Sequence, residues 1–178
     1  MDTAPPFSAT YSFNANKTIT TGGGGAITSS DEKLLEKVRF WSVQSKTNTL
    51  YYIHDELGYN YRLLNINAAI GVSQLDQLEY FISTKIKNYR EYKKEFGDKL
   101  LDFNHRANHW FYSLISEKRD LLLKYLNDNG IQTRPLWGLM HKQKHLEKYQ
   151  SYKIEKAYFY SNHLINIPCS TSLTMDEI

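Results

Sequence analysis

A single lysine stands in the short polar segment SFNANKTITTGGGGAI, which runs from Ser12 to Ile27. An amine on a flexible stem can act as a nucleophile or carry a proton, although a lone lysine such as Lys17 is far more often an exposed surface residue. Four of the nine glycines of the chain follow it consecutively. Because glycine loses more backbone freedom on folding than any other residue, such a run predicts a close approach of backbone. We therefore expect something to fit closely against this segment.

Other residues that could do chemistry have simpler explanations. His141 and His145 are four residues apart, as zinc ligands on a helix are, but no third ligand at a characteristic spacing accompanies them, so we predict a solvated helix face and no metal site. The stretch KIKNYREYKK interleaves basic residues with tyrosines and fits the polar half of a long helix better than an RNA-binding surface. The cluster from His54 to Glu56 is interpreted as structural, and Cys169 as a small buried or half-buried residue at the end of a strand.

The bulk composition limits the function classes. With 178 residues, of which 41% are hydrophobic, the chain is long enough to bury one ordinary core. The balance of 22 basic and 19 acidic residues gives a net charge of only +3, which provides no strong case for binding nucleic acid or an anionic membrane. One cysteine cannot form an intramolecular disulfide, and neither a bilayer-spanning apolar run nor a signal peptide is recognised. These features predict a globular, cytoplasmic protein.

The elements around the lysine segment are predicted from local patterns. The first ten residues, with two adjacent prolines, predict an extended lead-in with little helical potential. Ala26–Thr28 predict a short strand, and Ser29 with Glu32 has the spacing of a capping box that begins a helix through DEKLLEKVRFWSVQ. A strand, turn and helix in this order are typical of the edge of an α/β sheet.

A long helical pattern occupies the middle of the chain. Apolar residues recur every three to four positions from Ile66 to Phe96, with the charges concentrated in the second half. The pattern predicts one helix of about 30 residues, about 45 Å long, buried in its first half and solvated in its second. A helix of that length suits a bridge between two lobes, so we place the domain boundary inside it, with domains of residues 1–80 and 81–178.

The last third predicts a small α/β unit. HWFYSLI alternates like a strand, EKRDLLLKYLNDNG is an amphipathic helix stopped by Gly130, and IQT is a short strand. IEKAYFYSNHLI predicts another helix, and Thr174 is a good N-cap for a helix at the end of the sequence.

The lysine segment also carries a resemblance. Ser12, Phe13 and Lys17, followed by threonines and glycines, match the pattern Ser-Phe-x-x-x-Lys and resemble the lysine segment of the DegT/DnrJ/EryC1/StrS family, the pyridoxal-phosphate-dependent sugar aminotransferases of fold type I. Four further blocks are similar to family segments in the same order and extend nearly to the last residue. They are HDELGYNYRLLNINAAIGVSQLDQLEYF, ANHWFYSLI, GIQTRPLWGLMHKQ and LINIPCSTSLTMDEI.

The resemblance implies an α/β fold and an activity. Residues 1–80 would be the C-terminal remnant of the cofactor-binding large domain with its sheet, continued by a long linking helix, and residues 81–178 a small α/β domain truncated at its end. Enzymes of this family bind pyridoxal 5'-phosphate, load it with an amino group, usually from glutamate, and pass that group to a keto sugar carried on a nucleotide. The resemblance also implies a homodimer, or pairing with a full-length subunit.

The resemblance assigns roles to particular residues. Lys17 would be the Schiff-base lysine, and the hydroxyl of Ser12 would donate a hydrogen bond to the cofactor phosphate. Asn60, in GYNYR, would reach the phosphate of the neighbouring subunit, since these enzymes build each site at a dimer interface, and Arg62 would assist there.

The substrate side is assigned in the same way. Trp137 and His141 lie in the loop that, by the same resemblance, would face the nucleotide-linked sugar.

The chain departs from the family pattern before the lysine. The glycine-rich phosphate loop, the aromatic residue stacked on the cofactor ring and the aspartate paired with the pyridine nitrogen all precede the lysine in this fold. Asp2 is too close to Lys17 in sequence to be that aspartate. Two hypotheses follow: the chain is part of an active aminotransferase, or it is a catalytically incompetent relative that persists as a remnant or pairs with a full-length subunit.

Overall fold

The computed structural model describes residues 7–178, so Asp2 and the first part of the lead-in lie outside the described residues. The chain divides into two compact units, of which the first ends at Leu78 and the second comprises Glu79–Ile178. The elements of the two units are an α/β mixture, as the sequence predicts.

The first unit begins with an antiparallel ribbon of two strands, β1 (Ser8–Ser12) and β2 (Gly25–Ser29). Ser8 pairs with Ser29 at one end and Ser12 with Gly25 at the other. The predicted strand Ala26–Thr28 is confirmed within β2. The end of the extended lead-in is itself a strand, because pairing with β2 gives its backbone groups hydrogen-bond partners.

The first helix, α1 (Glu32–Ser42), is capped by a different residue from the one predicted. Asp31 is the N-cap, and its Oδ1 accepts a hydrogen bond from the amide of Leu34 at 3.1 Å. The prediction that Ser29 caps the helix is wrong because Ser29 still belongs to β2. Its hydroxyl instead accepts from the amide of Asp31 at 3.0 Å, which orders the turn before the helix.

A second ribbon and two helices follow α1. Strand β3 (Lys46–Asn48) pairs with β4 (Ile53–His54), and the helices are α2 (Asn65–Leu75) and α3 (Leu78–Phe96). The prediction of one continuous helix of about 30 residues is therefore wrong.

The interruption between α2 and α3 has a local cause. The amide of Gln77 donates to the carbonyl of Gln74 at 3.2 Å, three residues back rather than four, so the helical hydrogen-bond ladder stops there. The predicted burial is also reversed. Ile66 in α2 is 77% exposed, whereas the buried side chains of these two helices, which include Lys85 and Tyr89, lie in α3.

The second unit contains a three-stranded antiparallel sheet with helices between its strands. The strand order is first, third, second along the sheet. The strands are β5 (Tyr112–Ile115), β6 (Arg134–Pro135) and β7 (Leu164–Ile167), and the helices are α4 (Arg119–Asp128) and α5 (Glu155–His163).

The predictions for this unit are confirmed in part. The strand predicted over HWFYSLI begins only at Tyr112, and the helix predicted over IEKAYFYSNHLI ends at His163 because Leu164 and Ile165 belong to β7. Gly130 follows the end of α4 with φ +79°, and Thr174 and Glu177 form a capping box around a short 3-10 turn. The strand predicted at IQT, residues 131–133, is wrong by three residues, because β6 begins at Arg134. Asn127 explains the shift, because its amide nitrogen donates to the hydroxyl of Thr133 at 2.9 Å and its oxygen accepts from the amide of Thr133 at 3.2 Å. These bonds hold Ile131–Thr133 in the turn after α4.

The core of the second unit lies between α3 and the sheet. Its buried apolar side chains form one cluster, which consists of Tyr89, Tyr92, Leu100, Tyr112, Leu114, Ile165 and Ile167. In residues 7–78, by contrast, the buried side chains are Thr21 and Ser45, and no apolar side chain is buried.

Candidate active site

Hydrogen bonds to the carbonyl of Phe13 close the loop that carries Lys17. The carbonyl of Phe13 accepts from the hydroxyl of Thr20 at 3.0 Å and from the amide of Thr21 at 3.1 Å, and the amide of Phe13 donates to the carbonyl of Gly24 at 3.0 Å. Lys17 is half-buried within this closed loop. The lysine backbone is therefore held directly after β1 and beside the glycine run.

The end of the loop is anchored to α2. Thr21 is 2% exposed, and its carbonyl accepts from the side-chain amide of Asn67. The side-chain oxygen of Gln74 accepts from the amide of Thr20 at 3.4 Å. An apolar pocket of about 150 Å³ lies between the loop and α2, with Ile19 and Val72 among its lining residues. Sequence reasoning missed Asn67 and Gln74, whose amides give no signal that separates them from other helix residues.

The glycine run makes the close backbone approach that its sequence predicts. A side chain at Gly25 would overlap the carbonyl oxygen of Tyr11 in the paired strand. Gly24 has φ +82°, and a Cβ there would lie 2.7 Å from Cδ1 of Leu63. Two of the four glycines are thus fixed by contacts with neighbouring chain segments.

Asn60 and Arg62 meet the glycine run at one cleft of about 610 Å³. The cleft is lined by Gly23–Gly25, Asn60–Leu64 and Asn67. The backbone of Asn60 is fixed by a bridge to Val43, while its side chain and that of Arg62 are exposed. A guanidinium, two amides and closely approached backbone form a donor set that suits an anion such as a phosphate.

Ser12 lies at the edge of this arrangement, and Lys17 lies apart from the cleft wall. Ser12 is the strand partner of Gly25, and its hydroxyl accepts from the amide of Asn14 at 3.4 Å. Lys17 belongs to the loop between Ser12 and the glycines but is not one of the residues that line the cleft. The first unit therefore contains four of the predicted site residues, two of them on the cleft.

The other two predicted site residues lie in the second unit. Trp137 is 59% exposed, with its ring centroid 5.2 Å from that of Phe111 and 5.9 Å from that of Trp110. His141 is half-buried, and its Nε2 shares a hydrogen bond of 2.9 Å with the hydroxyl of Tyr158. Sequence reasoning read Trp110 and Phe111 only as part of a strand. The signal that it passed over was two adjacent aromatic residues directly before the buried strand.

The remaining candidates do not add to the site. Glu56 accepts from Nε1 of Trp41 at 3.0 Å and pairs with Lys37, whose hydrogen bond lowers the pKa of Glu56, so this carboxylate ties the loop to α1. Residues 7–178 contain no group of three or more histidine, cysteine, aspartate or glutamate side chains placed to hold a metal ion. Over the same residues, no helix has both the length and the apolar character needed to cross a bilayer.

Comparisons with known proteins agree with the resemblance. GDP-perosamine synthase of Escherichia coli O157:H7 is 35% identical over 179 residues, which are 96% of this chain and 48% of that protein. The putative pyridoxal phosphate-dependent aminotransferase EpsN of Bacillus subtilis is 33% identical over 94% of this chain and 46% of its own length. The chain thus spans about half the length of the curated relatives it matches.

The fold of the chain is also similar to that of solved aminotransferase structures. The structure of PseC from Helicobacter pylori, an aminotransferase involved in the biosynthesis of pseudoaminic acid, superposes with a TM-score of 0.85. The match covers 96% of this chain and 50% of PseC at 21% identity, which supports the fold alone. The sequence profile of the DegT/DnrJ/EryC1/StrS aminotransferase family matches residues 7–178. The chain therefore belongs to the DegT/DnrJ/EryC1/StrS aminotransferase family.

Proposed function

We propose that the chain forms part of a pyridoxal-phosphate-dependent aminotransferase of nucleotide-sugar biosynthesis, which transfers an amino group from glutamate to a nucleotide-linked keto sugar. The observation that carries the proposal is the cleft where Asn60 and Arg62 meet the glycine run, in the same unit as the Lys17 loop. Membership of the family and the names of its relatives support this reaction class.

The residues present fit the phosphate of the cofactor. Ser12 supplies a hydroxyl to the phosphate held by its own chain, and Asn60 and Arg62 supply an amide and a guanidinium to the phosphate of a neighbouring subunit; all three side chains are exposed and available to an anion. When bound, pyridoxal phosphate supplies an electron-withdrawing ring that stabilises negative charge on the carbon of the amino donor.

Lys17 has two roles in the proposal, both at Nζ. When the cofactor is bound, the amine would hold it covalently, and the freed amine would take a proton from the donor carbon as a general base and deliver it to the cofactor as a general acid. The bonds of Thr20 and Thr21 to the Phe13 carbonyl keep this loop compact, so the lysine stem starts from a fixed backbone. Fixed positioning of a proton carrier favours transfer over loss to solvent.

The substrate and the partner subunit are assigned to other surfaces. Trp137 presents an exposed ring and His141 an imidazole to the nucleotide-linked sugar. The exposed Asn60 and Arg62 side chains bind the phosphate of a neighbouring subunit, so the chain acts as a homodimer or pairs with a full-length subunit. Exposed apolar side chains next to these residues favour pairing, because contiguous apolar surface marks interaction sites. Tyr61 is 75% exposed and Leu64 67%.

Covalent labelling tests the proposal on the chain itself. The purified chain is mixed with pyridoxal phosphate, reduced with borohydride and analysed by mass spectrometry of its peptides. We expect a modified Lys17, and we expect Lys17→Ala to lose that adduct while the matched variant Lys33→Ala, at an exposed lysine of α1, keeps it. An adduct of equal yield in the Lys17→Ala variant would refute the assignment.

Glutamate then separates the two hypotheses of function. Bleaching of the cofactor absorbance by glutamate supports an active aminotransferase. A Lys17 adduct that glutamate does not bleach supports an incompetent relative that pairs with a full-length subunit.

A further inference from the structure

Helix α3 directs two buried polar side chains at backbone carbonyls of the second unit. Lys85 is 6% exposed, and its Nζ donates to the carbonyl of Cys169 at 2.6 Å and to that of Trp110 at 3.3 Å. Asn88, which is fully buried, donates from Nδ2 to the carbonyl of Ser170 at 3.2 Å. The helix therefore fixes the segment before β5 and the segment after β7 through side-chain donors.

Burying the Lys85 ammonium between α3 and these carbonyls costs free energy. No carboxylate forms an ion pair with it in the part of the chain that the structure describes. Burial lowers the pKa of Lys85, and the ring of Tyr112, 5.9 Å away, provides weak cation–π compensation. Because an unpaired buried charge costs more free energy than an apolar side chain of similar length, packing alone does not explain a lysine here. The hydrogen bonds to the carbonyls of Trp110 and Cys169 explain why a lysine stands here.

One of those carbonyls belongs to the residue that supports Trp137. The rings of Trp110 and Phe111 lie 4.2 Å apart between centroids, and both contact the ring of Trp137. The interplanar angle between Trp137 and Trp110 is 35°, and that between Trp137 and Phe111 is 69°. An exposed indole that rests on two other rings is held in one orientation before any ligand arrives, which lowers the entropy cost of binding.

We propose that Lys85 is a positioning residue for Trp137, which acts by holding the backbone of Trp110 so that the Trp110 ring supports Trp137. The proposal rests on the proposed function, in which Trp137 contacts the nucleotide-linked sugar. Lys85 itself is buried and does not contact substrate; its two hydrogen bonds set where the aromatic support lies.

Fluorine NMR of the chain labelled with 5-fluorotryptophan tests the positioning step without any activity assay. The chain has three tryptophans, and Trp41 in the first unit is an internal reference. In Lys85→Met, which keeps the stem but removes the donors, we expect the Trp137 and Trp110 resonances to shift and the Trp41 resonance to stay. Lys85→Arg, which keeps cationic donors, should restore the wild-type positions. Lys87→Met, at an exposed lysine of the same helix, is the matched control.

The outcomes decide the proposal even if the first variant folds poorly. The backbone amide spectrum of α4 reports whether the second unit remains folded. A folded Lys85→Met whose Trp137 resonance is unchanged overturns the proposal. If Lys85→Met does not fold, Lys85→Leu, which also has no donor, replaces it, and a folded Lys85→Leu whose Trp137 resonance stays at the wild-type position overturns the proposal.

Titration with GDP separates this inference from the proposed function. In the wild type GDP should shift the Trp137 resonance, and Lys85→Met should weaken GDP binding about three- to tenfold, the cost of leaving one large side chain to be ordered on binding. If GDP leaves Trp137 unmoved while Lys85→Met displaces it, the positioning stands and the assignment of Trp137 to substrate fails. If GDP shifts Trp137 and Lys85→Met changes neither Trp137 nor GDP affinity, the positioning fails and the assignment stands.

Discussion

The second unit buries seven apolar side chains in one cluster, whereas residues 7–78 bury none. The first unit is ordered by backbone contacts instead: the β1–β2 ribbon, the two bonds to the Phe13 carbonyl and the anchoring of Thr21 by Asn67. Burial of apolar surface is the dominant favourable contribution to folding. The two units therefore respond differently to the same kind of substitution.

The apolar side chains of the first unit remain at its surface. Helix α2 carries apolar residues on several sides in addition to Asn67 and Gln74, and Ile66 and Val72 are 77% and 62% exposed. A helix with apolar residues on several sides is one that other protein surface normally covers. The contrast thus separates a unit that packs by itself from a unit whose surface suits association.

Matched leucine truncations give the largest expected difference between the units. Leu100→Ala, at a 1% exposed core position, should lower the free energy of unfolding by about 2–5 kcal/mol, while Leu57→Ala, at a 76% exposed position, should change it by no more than about 0.5 kcal/mol. Urea unfolding measures both, followed by near-ultraviolet circular dichroism of the buried tyrosines for the second unit and by the 5-fluorotryptophan resonance of Trp41 for the first. Equal costs for the two leucines would show that the first unit buries Leu57 in solution and would remove the contrast.

A glycine pair tests whether backbone contacts order the first unit. Gly25→Ala places a methyl group against the Tyr11 carbonyl and should destabilise the ribbon by about 1–3 kcal/mol, the usual cost of overpacking. Gly23→Ala has open space around its Cβ and is the control, with an expected change within about 0.5 kcal/mol. Hydrogen exchange of the β1 and β2 amides measures local opening. Similar protection in both variants would mean that the close approach does not order the ribbon.

The smallest expected effect is a pH dependence confined to the second unit. Burial lowers the pKa of His109 in the folded state, with smaller contributions from Arg90 and Lys85, and Nδ1 of His109 has no hydrogen-bond partner. The folded state therefore binds fewer protons than the unfolded state below about pH 6.5, so stability present above that pH is lost as the pH falls. The urea midpoint should decrease between about pH 7.5 and pH 5.

Two histidine variants test whether His109 causes this pH dependence. His109 has φ +48°, a conformation that asparagine tolerates, so His109→Asn should fold and flatten the pH dependence. His105→Asn, at an exposed histidine, should leave it intact. A slope that survives His109→Asn would assign the effect to other groups.

Much of the secondary structure was predictable because its signals are local. The strand at Ala26–Thr28, the end of α4 at Gly130 and the capping box at Thr174 each depend on residues within a few positions of one another. The errors arose where a hydrogen bond that has no signal in the sequence decides the structure. The apolar periodicity from Ile66 to Phe96 continues through Gln77, but the hydrogen-bond ladder does not, and periodicity carries no information about that switch.

The sequence carries little information about how the assigned site residues are arranged. The glycine run predicts close approach, and the structure shows that Tyr11 and Leu63 are what approaches. The meeting of Asn60 and Arg62 with the glycines depends on chain segments more than 30 residues apart, which no spacing rule provides. The roles of Lys17 and the other assigned residues remain predictions that the labelling experiment addresses.

The glycine run also determines how this stretch can drift in evolution. Gly25 tolerates no side chain, and the φ of +82° at Gly24 excludes most residues, whereas Gly23 faces open space with no restriction on its conformation. Substitutions at the second glycine should therefore change the stability of the fold little, and those at the third and fourth should lower it. The four consecutive glycines are therefore under different steric constraints, and we expect related chains to tolerate other residues at Gly23 before Gly24 or Gly25.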